Sequence, residues 1–162
     1  YRTTIQNVVK GSSGNPGTME GLIVYNRYNL LGTIEKNTDA GIYGRLDKTE
    51  DLFGKKELVE TAAKEEIVTG PAKIRCFLED EVREFDIEVI KVDQETAEVN
   101  KGMMIRVTDE ELLEKTGGII QGMSGSPILQ NGKLIGAVTH VFVMDSTKGY
   151  GIFAETMLEQ LK

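Results

Sequence analysis

Apolar and charged residues alternate along two neighbouring stretches of the chain, residues 73–78 and 83–92. Alternation places the apolar side chains on one face of an extended strand, so both stretches predict half-buried β-strands. The acidic run 79–81 between them predicts the turn of a hairpin in a barrel wall. Looser patterns of the same kind predict further strands, at residues 1–9, 19–25, 30–35, 42–46, 103–107, 127–130, 133–141 and 152–154.

Helix signals are few and short, so the fold is predicted to be mostly β. Thr108 is followed three residues later by Glu111, which predicts a capping box and a helix over 108–115 that Gly117 ends. Residues 155–162 predict a second helix at the C-terminus. Residues 57–66 contain helix formers with weak amphipathicity, so a surface helix and an irregular segment both remain open. Loops are predicted at residues 10–17, 26–29, 47–56 and 144–151.

Length and charge narrow the class of protein. The 162 residues fit one domain, or two packed β lobes of roughly residues 1–70 and 71–162. A net charge of −7 and a pI near 4.9 argue against binding to nucleic acid or to anionic membrane surfaces. There is no apolar run long enough to span a bilayer.

The sequence favours neither a redox role for its cysteine nor a metal site at its acidic run. Cys76 is the single cysteine and lies in an apolar run, which predicts a buried structural thiol. Glu79, Asp80 and Glu81 are interpreted as a solvated turn, because acidic runs in turns seldom bind metal. No metal and no cofactor is therefore predicted.

The candidate nucleophile lies in residues 117–130. This segment places Ser124 between Gly122 and Gly125, on a tight turn ahead of a predicted strand. A serine hydroxyl attacks only when a base takes its proton and nearby N–H groups stabilise the oxyanion that forms. If Ser124 is the nucleophile, the N–H groups of Gly122 and Ser124 are the predicted oxyanion donors. A glycine-rich turn without chemistry is the alternative.

The strand pairing after Ser124 favours the chemical interpretation. Asn131-Gly132 is a strong hairpin signal between strands 127–130 and 133–141. This arrangement resembles the chymotrypsin-like serine peptidases, whose Gly-Asp-Ser-Gly-Gly-Pro motif falls on residues 122–127. Met123 replaces the aspartate of that motif, so activation by a salt bridge to a new N-terminus is not expected.

A longer resemblance covers nearly the whole chain. Residues 32–44, 116–127 and 136–143 are similar, in order, to the SpoIVB sporulation serine peptidases of spore-forming Firmicutes. The resemblance implies a chymotrypsin-like double β-barrel with short helices and a His-Asp-Ser triad. It leaves open whether the first barrel is complete in this chain. It also implies a membrane anchor and a PDZ domain upstream, and a catalytic histidine in an upstream Gly-His motif, so that this chain alone is expected to be inactive.

The same resemblance implies the substrates and the compartment. The substrates would be the protein itself and membrane-associated regulators of a sporulation signalling protease, cleaved between the mother cell and forespore membranes. A catalytically silent module that binds peptides along the strand 136–143 is the rival interpretation. No acidic residue presents itself as the bottom of a specificity pocket, so no preference at P1 is predicted.

Asp109 and His140 are the candidates for the two remaining triad roles, the orienting acid and the base. Asp109 lies in a Thr-Asp-x-Glu-Leu-Leu segment where the resemblance implies the orienting acid, whereas its place in a first helical turn favours a structural role. His140 falls where chymotrypsin-like enzymes have the tryptophan whose main chain pairs with substrate. Thr139, His140 and Val141 are therefore predicted to wall the peptide cleft, and a role for His140 as the base stays open.

Overall fold

The computed structural model describes residues 1–47, 49 and 58–162. These residues form strands and two short α-helices, α1 (Glu110–Thr116) and α2 (Ala154–Glu159). The strands are β1 (Thr3–Val9), β2 (Thr18–Ile23), β3 (Gly32–Thr38), β4 (Gly41–Leu46), β5 (Gly70–Leu78), β6 (Glu81–Val92), β7 (Met103–Val107), β8 (Pro127–Gln130), β9 (Lys133–Phe142) and β10 (Asp145–Phe153). The mostly-β class predicted from the sequence is confirmed.

Six of the strands close into an antiparallel barrel in the order β10-β7-β6-β5-β8-β9. β5 and β6 pair without interruption from Gly70 opposite Val89 to Leu78 opposite Glu81. From Ala72 onwards every second residue of β5 points into the barrel and is buried, as the alternation predicts. The core of the protein lies inside this barrel and beneath α1.

The first third of the chain is built differently, as two separate two-stranded sheets. β1 pairs with β2, and β3 pairs with β4. The segment 26–29 joins two strands, as predicted, but these two strands do not pair with each other. The predicted division into two lobes stays a prediction.

The prediction of a loop over residues 144–151 is wrong. Asp145 to Gly151 belong to β10, which lies between β7 and β9 in the barrel. Ser146 is only 6% exposed, and its Oγ donates to the carbonyl of Gly117 at 2.7 Å. The polar residues that suggested a loop therefore face partners elsewhere in the fold, which satisfy them.

The helix predictions need smaller corrections. Asp109, and not Thr108, caps α1, and Gly117 ends the helix with a left-handed φ of 74°, as predicted. Residues 64–66 form a single 3₁₀ turn, whereas residues 48 and 50–57, including most of the predicted 47–56 loop, lie outside the described residues. None of the described helices is long or apolar enough to cross a membrane. Cys76 is buried as predicted, and burial raises the pKa of its thiol to about 11.

Candidate active site

Ser124 is exposed on the loop that connects α1 to β8. The residues on either side of it fix the course of this loop. Gly122 and Gly125 have φ values of 105° and 89°, which side chains rarely permit. Met123 is 1% exposed, so its side chain anchors the loop in the core. The sequence pattern Gly-Met-Ser-Gly thus folds into a turn that pushes the Ser124 hydroxyl outward.

Hydrogen bonding in this loop leaves two N–H groups free. The N–H groups of Gln121, Met123 and Gly125 donate to carbonyl oxygens at 2.8, 3.1 and 2.8 Å. Those of Gly122 and Ser124 donate to no residue in the described chain. Exposed and unpaired N–H groups on either side of Met123 can donate hydrogen bonds to a negatively charged oxygen, which is what an oxyanion hole requires.

β9 holds the serine from the other side. The Oγ of Ser124 donates to the carbonyl of Thr139 at 3.0 Å. Thr139 is the extra residue of a bulge, because His140 pairs with Tyr150 of β10 while Val138 pairs with Gly151. The bulge turns the Thr139 carbonyl out of the ladder and towards Ser124.

Ser124 opens into a groove of about 450 Å³. One side of the groove is barrel wall and includes Thr139 and His140, and the other side is the tip of the β3–β4 hairpin, residues 38–42. Ala137, Val138, Ile152 and Met157 make much of its lining apolar. A groove of this size next to an exposed hydroxyl can take a peptide side chain.

Asp109 does not line this groove. Its Oδ1 accepts the N–H of Leu112 at 3.0 Å, which caps α1, and its Oδ2 accepts the N–H of Asp86 at 3.2 Å. Both carboxylate oxygens therefore have structural partners. The structure does not bring Asp109 together with Ser124 in one groove, and its role as an orienting acid stays a prediction.

The three residues predicted to wall the cleft lie on β9, but not all of them reach the groove. His140 is exposed, lines the groove, and its ring makes no hydrogen bond to Ser124 or to any other described residue. Thr139 also lines the groove, and its Oγ1 donates to the carbonyl of Asn100 at 2.6 Å. Val141 is not among the lining residues and packs against the core.

Within the described part of the chain, no cluster of three His, Cys, Asp or Glu side chains is placed to hold a metal ion. The groups found around Ser124 are its hydroxyl, two backbone N–H groups without a described partner and an open groove.

Comparison with protein families gives a match over residues 1–158, to the model described as SpoIVB peptidase S55. The chain belongs to the SpoIVB peptidase S55 family. No curated protein matches it.

Solved structures similar to this S55 chain include several of the Rv3671c protease. The active form from M. tuberculosis superposes with a TM-score of 0.57 at 14% identity, over 94% of this chain and 70% of that one. A serine-to-alanine mutant of Rv3671c from M. tuberculosis H37Rv, in an inactive form, gives 0.54 at 15%, over 91% and 69%. An inactive form of the protease gives 0.53 at 16%, over 80% and 65%. This chain spans roughly two thirds of their length, and the likeness confirms the predicted chymotrypsin-like fold alone.

The structure also shows groove residues that sequence reasoning missed. Asp39 and Asn100 line the Ser124 groove. The loop between β1 and β2 holds the segment ahead of Ser124, since the N–H of Gln121 donates to Gly17 and the N–H of Met19 donates to Gln121, both at 2.8 Å. The glycines of the 10–17 loop were a signal in the sequence for the contact between Gly17 and Gln121. Asp39 had none beyond its place in a segment that resembles the family.

Proposed function

We propose that this chain is the catalytic region of a serine endopeptidase in which Ser124 attacks the scissile carbonyl carbon. The observation that carries the proposal is the pair of unpaired N–H groups, on Gly122 and on Ser124 itself, beside an exposed hydroxyl that opens into a groove. Membership of a peptidase family supports the same chemistry.

The reaction is an acyl transfer. The Ser124 Oγ forms a bond to the carbonyl carbon while an imidazole takes its proton, and the carbonyl electron pair moves to the oxygen. The N–H groups of Gly122 and Ser124 stabilise that oxygen, and loss of one such donor costs about 10²–10³ in kcat. The imidazolium then protonates the leaving amine, and water releases the acyl group. By the family resemblance the imidazole comes from an upstream Gly-His motif, with Asp109 as the acid predicted to orient it.

The peptide is proposed to lie along β9, with Thr139 and His140 as its wall. Main-chain pairing with an exposed strand gives affinity without demanding a particular side chain. The apolar lining of the groove, including Val138 and Met157, favours an uncharged side chain there.

The biological setting is inferred from the family. We propose that the protein cleaves itself and membrane-associated regulators of sporulation signalling, in the space between the mother cell and forespore membranes. An upstream PDZ domain would present the substrates, and no cofactor takes part. Detection of cut products of such regulators, in cells that carry wild-type protein but not the Ser124→Ala variant, tests this setting.

The chemical proposal is tested by two serine variants of full-length protein on a peptide substrate. Ser124→Ala removes the attacking oxygen, so cleavage is expected to vanish while the thermal unfolding midpoint stays unchanged. Ser126→Ala is the matched control, because the Ser126 main chain holds the loop through its bonds to Met123 and Val138 and needs no hydroxyl. Equal loss from both variants at an unchanged midpoint would mean that Ser124 is not the nucleophile.

A peptide-binding module without turnover is the second candidate. The bond from Ser124 Oγ to the Thr139 carbonyl favours it, because the hydroxyl proton points to a carbonyl and not to a base. The two candidates differ in whether Ser124 reacts with an acylating or phosphonylating probe, since an unactivated serine does not.

A further inference from the structure

The start of β2 lies against the segment that leads into Ser124. The N–H of Gln121 donates to the carbonyl of Gly17, and the N–H of Met19 donates to the carbonyl of Gln121, both at 2.8 Å. Between these two hydrogen bonds, Thr18 and Gln121 form a parallel β-bridge. Both main-chain polar groups of Gln121 are therefore bonded to a segment that lies far earlier in the chain.

The bond from Met19 to Gln121 determines the orientation of one proposed oxyanion donor. The carbonyl of Gln121 and the N–H of Gly122 belong to one peptide unit, which is planar and trans, so the two groups point in opposite directions. A donor that fixes the carbonyl on one side therefore fixes the N–H on the other. Rotation of this peptide unit would break the bond from Met19 and would turn the Gly122 N–H away from its present direction.

The turn itself resists such a rotation only weakly. Gly122 has a φ of 105°, and without a Cβ it adopts positive and negative φ about equally well. Its own N–H has no partner among the described residues. The bond that the Gln121 carbonyl accepts from Met19 is therefore the described contact that selects the direction of the Gly122 N–H.

Met19 is itself fixed by contacts away from the nucleophile loop. Its side chain packs against the core. In the loop that precedes β2, the N–H of Gly11 donates to the carbonyl of Thr116 at 2.8 Å, and the N–H of Gly14 donates to the carbonyl of Val143 at 2.9 Å. The loop is thus bonded to the end of α1 and to the turn after β9. Anchors of this kind keep a supporting group in one position.

We propose that the start of β2 positions the oxyanion hole, with the Met19 N–H holding the peptide unit of Gln121 and Gly122 so that the Gly122 N–H faces the substrate oxygen. The inference rests on the proposed function, which makes this N–H an oxyanion donor. In the acyl transfer, the carbonyl oxygen gains negative charge as the Ser124 Oγ bonds to the carbon. A donor that already faces this oxygen stabilises the charge without a rotation during the reaction. Met19 is a positioning residue, because it acts through Gly122 and does not touch the substrate.

Steady-state kinetics of full-length protein on a peptide substrate test the inference. Met19→Pro removes the N–H, and proline is tolerated at the edge of a strand, where the preceding Thr18 is already extended. The kcat is expected to fall by about 10²-fold, the lower end of the loss of an oxyanion donor, because the peptide unit can still reach the productive orientation. KM should change by less than about threefold, since the uncharged carbonyl of the substrate depends little on this donor.

A peptide aldehyde gives a second readout of the same donor. Addition of the Ser124 Oγ to the aldehyde carbon leaves an oxygen where the oxyanion forms, so its inhibition constant should rise by about the same factor by which kcat/KM falls. A merely structural role for Met19 would not produce this match.

Met19→Ala is the matched control, because it keeps the N–H and truncates a half-buried side chain that packs against the core. Its unfolding midpoint should fall while kcat stays within about threefold of wild type. An equal loss of kcat in Met19→Ala and Met19→Pro would overturn the inference, since packing would then explain both. If Met19→Pro does not fold, an ester analogue made by nonsense suppression, with oxygen in place of the N–H of residue 19, is expected to show the same 10²-fold loss.

A folded proline or ester variant with kcat within about threefold of wild type would overturn the role of Met19. Ser124→Ala in the same assay separates this result from a failure of the proposed function. Cleavage by Ser124→Ala would defeat the proposed function. An inactive Ser124→Ala beside a fully active Met19→Pro would defeat only the positioning role, and no Ser124-dependent turnover in any variant, wild type included, would overturn both.

Discussion

The hydroxyl of Ser124 donates to the carbonyl of Thr139 across 3.0 Å, at the bulge of β9. The Thr139 carbonyl accepts this hydrogen bond, but it is too weak a base to remove the proton from the hydroxyl. A base has to displace this hydrogen bond before Ser124 can attack. In the described chain the hydrogen-bond partner of the Ser124 hydroxyl is therefore a carbonyl and not a base.

The first prediction is that the purified 162-residue chain does not cleave peptides. If the base lies in the upstream Gly-His motif that the family resemblance implies, oxyanion stabilisation and binding alone should leave catalysis only about 10³–10⁴ above water, which is too slow to detect on ordinary peptides. Addition of the upstream segment, in cis or as a separate peptide, is expected to restore cleavage, measured by release of a fluorophore and absent in Ser124→Ala. Robust Ser124-dependent cleavage by the isolated chain would instead assign the base to His140.

His140 lines the groove and makes no hydrogen bond to Ser124, which predicts a role in substrate binding. In full-length protein, His140→Ala should lower kcat/KM for peptides several-fold while the rate of Ser124 acylation by a small reagent stays near wild type. Binding and activation are separable in this way because the small reagent does not occupy the strand. Complete loss of acylation would show that His140 is the catalytic base.

Asp109 is expected to contribute to stability through its cap on α1. Asp109→Ala removes acceptors for the N–H groups of Leu112 and Asp86, so the free energy of unfolding should fall by about 1 kcal/mol. In a domain of this size the midpoint should drop by about 2–4 °C. Asp109→Asn keeps an acceptor at the cap and should stay close to wild type. An unchanged midpoint in Asp109→Ala would contradict the capping role.

The ion pair between Arg83 and Glu111 predicts a loss of stability in acid. The guanidinium of Arg83 donates to both carboxylate oxygens of Glu111, at 2.8 and 2.6 Å, and with Lys115 it lowers the pKa of Glu111 from 4.5 to about 2. Because the unfolded chain binds this proton at higher pH than the folded one, the contribution is present above about pH 4.5 and is lost as the pH falls towards 2.

Denaturant unfolding between pH 5 and 2 measures this effect. Glu111→Gln should flatten the decline in the free energy of unfolding over that range. Glu110→Gln, at an exposed position on the same helical turn, should leave the slope of the wild type unchanged. Parallel curves for wild type and Glu111→Gln would show that this ion pair does not contribute.

Local patterns predicted the elements whose partners are close in sequence. The β5–β6 hairpin follows from alternation, and the end of α1 follows from the left-handed preference of Gly117. β10 was missed because Ser146 looks like a loop residue until its bonds to Gly117 and Ile119 are known. Partners this far apart in the sequence cannot be inferred from the local composition or from the spacing of apolar residues.

In the candidate site too, the local turn could be predicted from the sequence, whereas the groups that depend on long-range pairing could not. The tight turn around Ser124 was predicted because one short motif, with Gly122 and Gly125 at positive φ, determines it. The bulge that directs the Thr139 carbonyl to Ser124 depends on how β9 pairs with β10. The approach of Asp39 to the groove depends on the packing of Ala40 against a barrel wall that folds from residues far along the chain. The sequence pattern therefore predicted the turn that exposes Ser124, but not the groups that surround this serine.

The central claim is that Ser124 is an activated nucleophile, and reaction with a fluorophosphonate tests it most directly. Full-length protein is incubated with the probe, and the adduct is located by mass spectrometry of the peptide that contains Ser124. The account predicts one adduct at Ser124, retained in Ser126→Ala and absent in Ser124→Ala. No adduct at Ser124, in protein that is folded and carries its upstream segment, would contradict the account and leave a module that binds peptides without cleaving them.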